Sequence, residues 1–171
     1  MGSLMRKPGS SGPIEVAAGL IFRGGRVLIS QRRPGDHLAG LWEFPGGKRH
    51  AGETFRQCLQ RELREELDIE TAIGPLLGSV THAYPDRAIH LRFYRCALVR
   101  GEPRPLQCAA LAWVAPDALG AYSFPPADAR FLVKLIRHPE WWEAPILSAF
   151  TGHRPPAFPR GVGRRPSRRS T

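Results

Sequence analysis

Long apolar runs are what this chain most plainly lacks. No stretch approaches the roughly 18 consecutive apolar residues that cross a bilayer as a helix. "VAAGLIF" (Val16 to Phe22) follows Glu15 and has none of the layout of a signal peptide. The expectation is a cytoplasmic protein with no membrane partner. Cysteine is scarce as well. Cys58, Cys96 and Cys108 are odd in number and share no CxxC spacing, which argues against a disulfide scaffold or a zinc site and for reduced thiols in apolar surroundings. No internal repeat is present. Acidic residues number 15 against 25 lysines and arginines, for a net charge of +10. That excess is local: residues 153–171 hold six arginines and no acid, Arg6 and Lys7 add two charges, and without these eight the rest carries +2. A flexible segment at 1–13 and a basic, Pro/Arg-rich extension at 138–171, disordered from about residue 153, are therefore expected around one domain at 14–137. The tail offers nucleic acid weak, salt-sensitive contact only, and no specific nucleic-acid partner is expected. At 171 residues and 42% hydrophobic the chain can bury one proper core, and a monomer is the expected state.

Against this basic background, "RELREEL" (Arg61 to Leu67) sets Glu62, Glu65 and Glu66 within five residues. A solvated helix face is the ordinary fate of such a run. Plotting Glu53 to Leu67 at about 100° per residue from Phe55 places Leu59 near 40°, Leu63 near 80° and Cys58 near 300°, which is the buried arc. Gln57, Gln60, Arg61 and Arg64 fall between roughly 140° and 240° and occupy the wet side. Glu62 and Glu66 land near 340° and 20°, with Glu65 at their edge near 280°. Carboxylates gathered on the core side repel one another and cost several kcal/mol to desolvate unless a cation joins them. Arg61 reaches Glu65 at i, i+4 but is not expected to neutralise three glutamates, and Arg64 points away. A hard divalent ion meets the demand, because Mg²⁺ takes carboxylate and carbonyl oxygens and shares its shell with a substrate phosphate.

The same residues carry a resemblance. Gly47, five residues, Glu53, seven residues, then Arg61-Glu62-Leu63-Arg64-Glu65-Glu66-Leu67-Asp68-Ile69 resembles the Nudix box, GX5EX7REUXEEXGU with U apolar. Asp68 stands at the final glycine, a turn position that Asp tolerates better than most residues. "ISQRRPGDHLAGLWEFPGGK" (Ile29 to Lys48), "AYPDRAIHLRFY" (Ala83 to Tyr94), "GEP" (Gly101 to Pro103) and "FPPAD" (Phe124 to Asp128) resemble segments of the MutT branch in the same order. The resemblance implies an α/β fold, the Nudix-type α/β/α sandwich with a mixed sheet between helices. It implies a Mg²⁺-dependent enzyme, with Mn²⁺ as a substitute, that hydrolyses 8-oxo-dGTP or related oxidised purine nucleotides at the β phosphorus to monophosphate and pyrophosphate. It further implies Gly47, Glu62, Glu65 and Glu66 as metal ligands, Glu53 and Arg61 as further catalytic residues, and Arg32, His37, Phe44, Lys48, Asp86 and Asp128 as substrate contacts.

Without the resemblance these last residues say less. His37 in a Gly/Pro loop also reads as surface, Phe44 as core, Asp86 in "YPDR" as a turn former, and Lys48 and Arg61 as solvated cations. Two positions depart from the MutT pattern. Asp128 replaces an asparagine, and Gln107 replaces a loop glutamate that assists metal binding or proton transfer. An amide can coordinate through oxygen but is no base near neutral pH, which leaves Glu53 or a box glutamate for that task. Hydrolysis of cytidine triphosphates, nucleotide sugars or capped RNA is the alternative enzymatic reading. A non-catalytic base-recognition module is the third, and the intact box glutamates stand against it.

Alternation and turn signals predict strands at Ile14 to Phe22, Arg26 to Gln31, Ile73 to Val80, Ala88 to Val99 and Leu111 to Val114. A loop is predicted across Pro34 to Leu41, and a last helix from Pro126 to Ile136 follows the box helix. Trp141 and Trp142 read as an apolar flap on the domain or as a base-stacking platform.

Overall fold

The computed structural model describes residues 12–143. Strand β1 (Ile14–Arg23) turns into β2 (Arg26–Gln31) through Gly24 and Gly25, whose φ values of 55° and 68° are the positive pair that a tight hairpin requires. Along β1, Ala17 and Ile21 face one side while Ala18, Leu20 and Phe22 face the other, and all are buried. Both faces are apolar because β1 lies inside the sheet. It runs parallel to β6 (Ala88–Arg100) from Ile14↔Ile89 to Ile21↔Cys96. Its other edge is shared by β2 and by β4 (Gly46–Lys48), both antiparallel to it. The short β3 (Trp42–Glu43) and β7 (Ala110–Val114) pair with β2, and β5 (Glu70–Ala83) closes the far side against β6. The result is a mixed seven-stranded sheet.

Helix α1 (Phe55–Leu67) covers one face through Cys58, Leu59, Leu63 and Leu67, and helix α2 (Pro126–Ile136) covers the other through Ala127, Phe131 and Leu135. Each fully buried leucine contributes about 2 kcal/mol. This is the expected α/β/α sandwich. The box helix begins two residues later than its apolar pattern suggests, because Thr54 caps it: the Thr54 hydroxyl accepts from Gln57 N at 3.2 Å while the Gln57 side chain accepts from Thr54 N at 2.8 Å. Glu53 is thereby left in the loop. The helix ends on Asp68, which adopts the left-handed conformation (φ 58°, ψ 38°) and donates its N–H to Arg64.

Strand β5 runs longer than predicted because its ladder with β6 continues to the turn at Tyr84–Arg87. Residues Glu140–Glu143 form one helical turn, α3, that seats the tryptophans on the α2 face. Trp142 packs edge-on against Phe22 at 5.4 Å and donates its indole N–H to Leu135 O at 3.1 Å, while Trp141 lies parallel to Phe131. That arrangement is a flap. No described helix is long and apolar enough to cross a membrane. The segment before residue 12 and the basic tail lie outside the described residues.

Candidate active site

Strand β4 and helix α1 meet at Gly47. A Cβ there would overlap the Glu62 carboxylate, and one on Gly46, at φ 151°, would overlap the Ala17 carbonyl. Gly47 lets the backbone approach the helix this closely, and Gly46 lets it approach β1. Cys58 donates its thiol to the Gly47 carbonyl at 3.5 Å. Arg61 is the hub of the cluster. Its Nε and Nη2 hold Glu53 at 2.7 and 3.0 Å, and its Nη1 reaches Glu62 at 2.8 Å and Glu65 at 3.2 Å. One guanidinium thus touches three carboxylates, more than the helical wheel allows for, since Glu53 folds back from the loop before the helix. The two Arg61 bonds and a third from His50 N hold the Glu53 carboxyl down at about 2.

Glu66 is placed differently. It turns inward and, among the described residues, accepts only from Gly46 N, at 3.3 Å. Burial, followed by the negative charges of Glu43 and Glu62, pushes its carboxyl up to about 8. Among the described residues no three His, Cys, Asp or Glu side chains already converge as a ligand set, because Arg61 draws Glu62 and Glu65 to itself. The donors offered by Gly47, Glu62, Glu65 and Glu66 are all oxygen, which suits a hard divalent cation, and the uncompensated Glu66 is the group that gains most from one.

A cavity of about 410 Å³ extends from this corner to the start of α2. Glu66, Gly47, Lys48 and Gln107 line one part, and Phe44, Tyr84, Pro125 and Asp128 line another. Glu43 faces both, since its charge acts on Glu66 and on Asp128 alike. Arg32 bonds Glu43 at 2.5 Å and the His37 carbonyl at 2.6 Å. Phe44 is a fixed wall, set edge-on to Phe93 at 5.9 Å and to Phe131 at 6.2 Å. Asp128, in the first turn of α2, is 6% exposed. Burial and then the charge of Glu43 raise its carboxyl to about 7, against a smaller opposing hydrogen bond from the Phe44 backbone.

The NUDIX domain model matches residues 17–134. The chain belongs to the Nudix family. A putative 8-oxo-dGTP diphosphatase of Mycobacterium tuberculosis (strain H37Rv) is 43% identical over 129 residues, which cover 71% of this chain and 87% of that protein. The CTP pyrophosphohydrolase of Escherichia coli (strain K12) is 41% identical over 115 residues, covering 67% and 85%. The crystal structure of a MutT Nudix hydrolase from Burkholderia pseudomallei matches with a TM-score of 0.67 at 29% identity, over 73% of this chain and 99% of that one.

In this Nudix hydrolase, Glu53, Arg61, Glu62, Glu65 and Gly47 gather at one corner, and Glu66, Lys48, Arg32, His37, Phe44 and Asp128 line the cavity. Asp86 does not line it. Its exposed carboxylate pairs with Arg87, and Arg87 faces the cavity instead. Glu43 and Tyr84 are cavity residues that sequence reasoning missed. An acid set between Trp42 and Phe44, just ahead of the glycine pair, was the available signal for Glu43. The thiols are free, as expected, and Cys108 packs at the edge of the apolar cluster beneath α1. It lines the cavity, where burial and then Glu66 push it up to about 11.

Proposed function

We propose that this Nudix hydrolase converts 8-oxo-dGTP or a related oxidised purine nucleoside triphosphate to the monophosphate and pyrophosphate, sanitising the cytoplasmic nucleotide pool. The observation that carries the reading is a buried Asp128 in the same cavity as the box glutamate Glu66. Oxidation at C8 turns guanine N7 from an acceptor into an N–H donor. A carboxyl raised to about 7 is partly protonated near neutral pH, so it can accept from that N–H and donate to O6. Normal guanine leaves the acceptor unpaired, and an unpaired buried polar group discriminates by roughly 1 to 3 kcal/mol.

Phe44 and Tyr84 would flank the base, and Lys48 would meet the phosphates. Gly47, Glu62, Glu65 and Glu66 would hold Mg²⁺, or Mn²⁺ in its place, which supplies charge neutralisation at the phosphates and an acidified water. Arg61 keeps Glu53 and Glu62 oriented. The new bond joins water oxygen to the β phosphorus, and the bond from that phosphorus to the α–β bridging oxygen breaks. Glu53, fixed by Arg61, is a poor proton acceptor and Gln107 is none, so the water proton passes to a box glutamate. Similarity to a CTP pyrophosphohydrolase supports cytidine triphosphates as the second reading. A panel of normal and oxidised nucleoside triphosphates with Mg²⁺ in isotope-labelled water tests both. The label should enter pyrophosphate and not the monophosphate, and label in the monophosphate would refute attack at the β phosphorus.

A further inference from the structure

We propose that Arg33 binds the pyrophosphate half of the substrate and sets a preference for triphosphates over diphosphates. The inference rests on the triphosphate reading above. Four arginine or lysine side chains line the cavity: Arg32, Arg33, Lys48 and Arg87. Two are committed to acids, Arg32 to Glu43 and Arg87 to Asp86. Arg33 is exposed and forms no ion pair among the described residues. Its guanidinium donates only to the Leu106 carbonyl, leaving most of its five donors free.

The place of Leu106 in the chain locates that cation. The amides of Leu106 and Gln107 donate to Glu66 O at 3.0 and 3.2 Å, and Arg104 N donates to Leu67 O at 3.0 Å. Arg33 is therefore tethered at the C-terminal end of the box helix, on the Glu66 side of the cavity. A nucleotide with its base at Asp128 extends its phosphates toward Glu66, and the β and γ groups travel farthest. The Arg33 backbone is well fixed for this role. Its N–H donates to the Asp36 carboxylate at 3.1 Å, its carbonyl accepts from Asp36 N at 3.2 Å, and Pro34 after it narrows its conformations. A planar guanidinium matches adjacent phosphate oxygens bidentately, at the cost of one carbonyl contact.

Calorimetric titration of the full chain in Mg²⁺ buffer with pyrophosphate, and separately with 8-oxo-dGMP, tests the assignment. Arg33→Ala should weaken pyrophosphate by at least about tenfold and leave the monophosphate within about twofold, with Arg33→Lys falling between because it keeps the charge but loses the fork. The ratio of kcat/KM for triphosphate over diphosphate should fall by about tenfold in Arg33→Ala. If Arg33 merely tied two loops together through Leu106, both ligands would weaken alike. That outcome, or unchanged pyrophosphate affinity, overturns the proposal. The base specificity of the wild type is a separate outcome: a preference for CTP alongside pyrophosphate loss in Arg33→Ala would retain Arg33 and reject the oxidised-purine reading.

Discussion

Glu66 is the residue at which stability and chemistry conflict. It is half-buried beside Glu43 and Glu62 with a single backbone donor among the described residues. Its folded-state value of about 8 lies above the ordinary 4.5, so the folded chain binds the proton more tightly than the unfolded one. In the presence of a chelator, the Glu66 contribution to stability is thus fully present below about 4.5 and is lost as pH rises from there to about 8. Glu66→Gln should flatten that slope and raise Tm near the upper end by several degrees. It will not remove the slope, since Asp128, raised to about 7, has the same sign. Thermal melts across this range check the prediction, and a variant less stable than wild type at the alkaline end would contradict it. With Mg²⁺ present the same substitution, like Glu65→Gln, should lower kcat by about a hundredfold or more, because each removes a charge from the proposed metal site. Near-wild-type turnover in both would remove the metal from this helix.

At the scale of elements, the box helix was legible because its apolar arc and acid positions share one period, whereas its Thr54 cap was not read. Its surroundings were less so. Strands β3 and β4 span two and three residues, too few for alternation to be a signal. The grip of Arg61 on Glu53 joins a helix to a loop, which no helical wheel contains. Asp68 is a place where sequence and structure agree in detail, since the residue replacing glycine adopts the left-handed conformation that glycine would. Asp68→Gly should therefore stabilise the fold by up to about 1 kcal/mol. Chemical denaturation reads the gain, and kcat should not change. The loop carrying Gln107 is anchored on Glu66 O and its side chain lines the cavity. Gln107→Glu supplies a positioned base and should raise kcat by about tenfold to a hundredfold. A rate unchanged or lowered from about pH 6 to 9 would show that position 107 does not serve the reacting water.

For the whole molecule, five of the strands followed from alternating patterns and the sandwich from the Nudix resemblance, whereas the pairing of β1 with β6 followed from neither. That ladder joins residues 75 positions apart in parallel, and periodicity carries no information about such partners. The same long-range closure brings Glu43, Asp128 and Tyr84 to one cavity from β3, α2 and the turn after β5. It also turns Arg87, in place of Asp86, toward that cavity. The proposed reading of an oxidised base is thus a property of the assembled fold, and the proposal rests on Asp128. The most direct measurement is kcat/KM for 8-oxo-dGTP and for dGTP in the wild type, Asp128→Asn and Asp128→Ala. A preference of at least about tenfold for the oxidised nucleotide is expected in the wild type, retained in Asp128→Asn and largely lost in Asp128→Ala. Equal values for the two nucleotides in the wild type, or an undiminished ratio in Asp128→Ala, would contradict it.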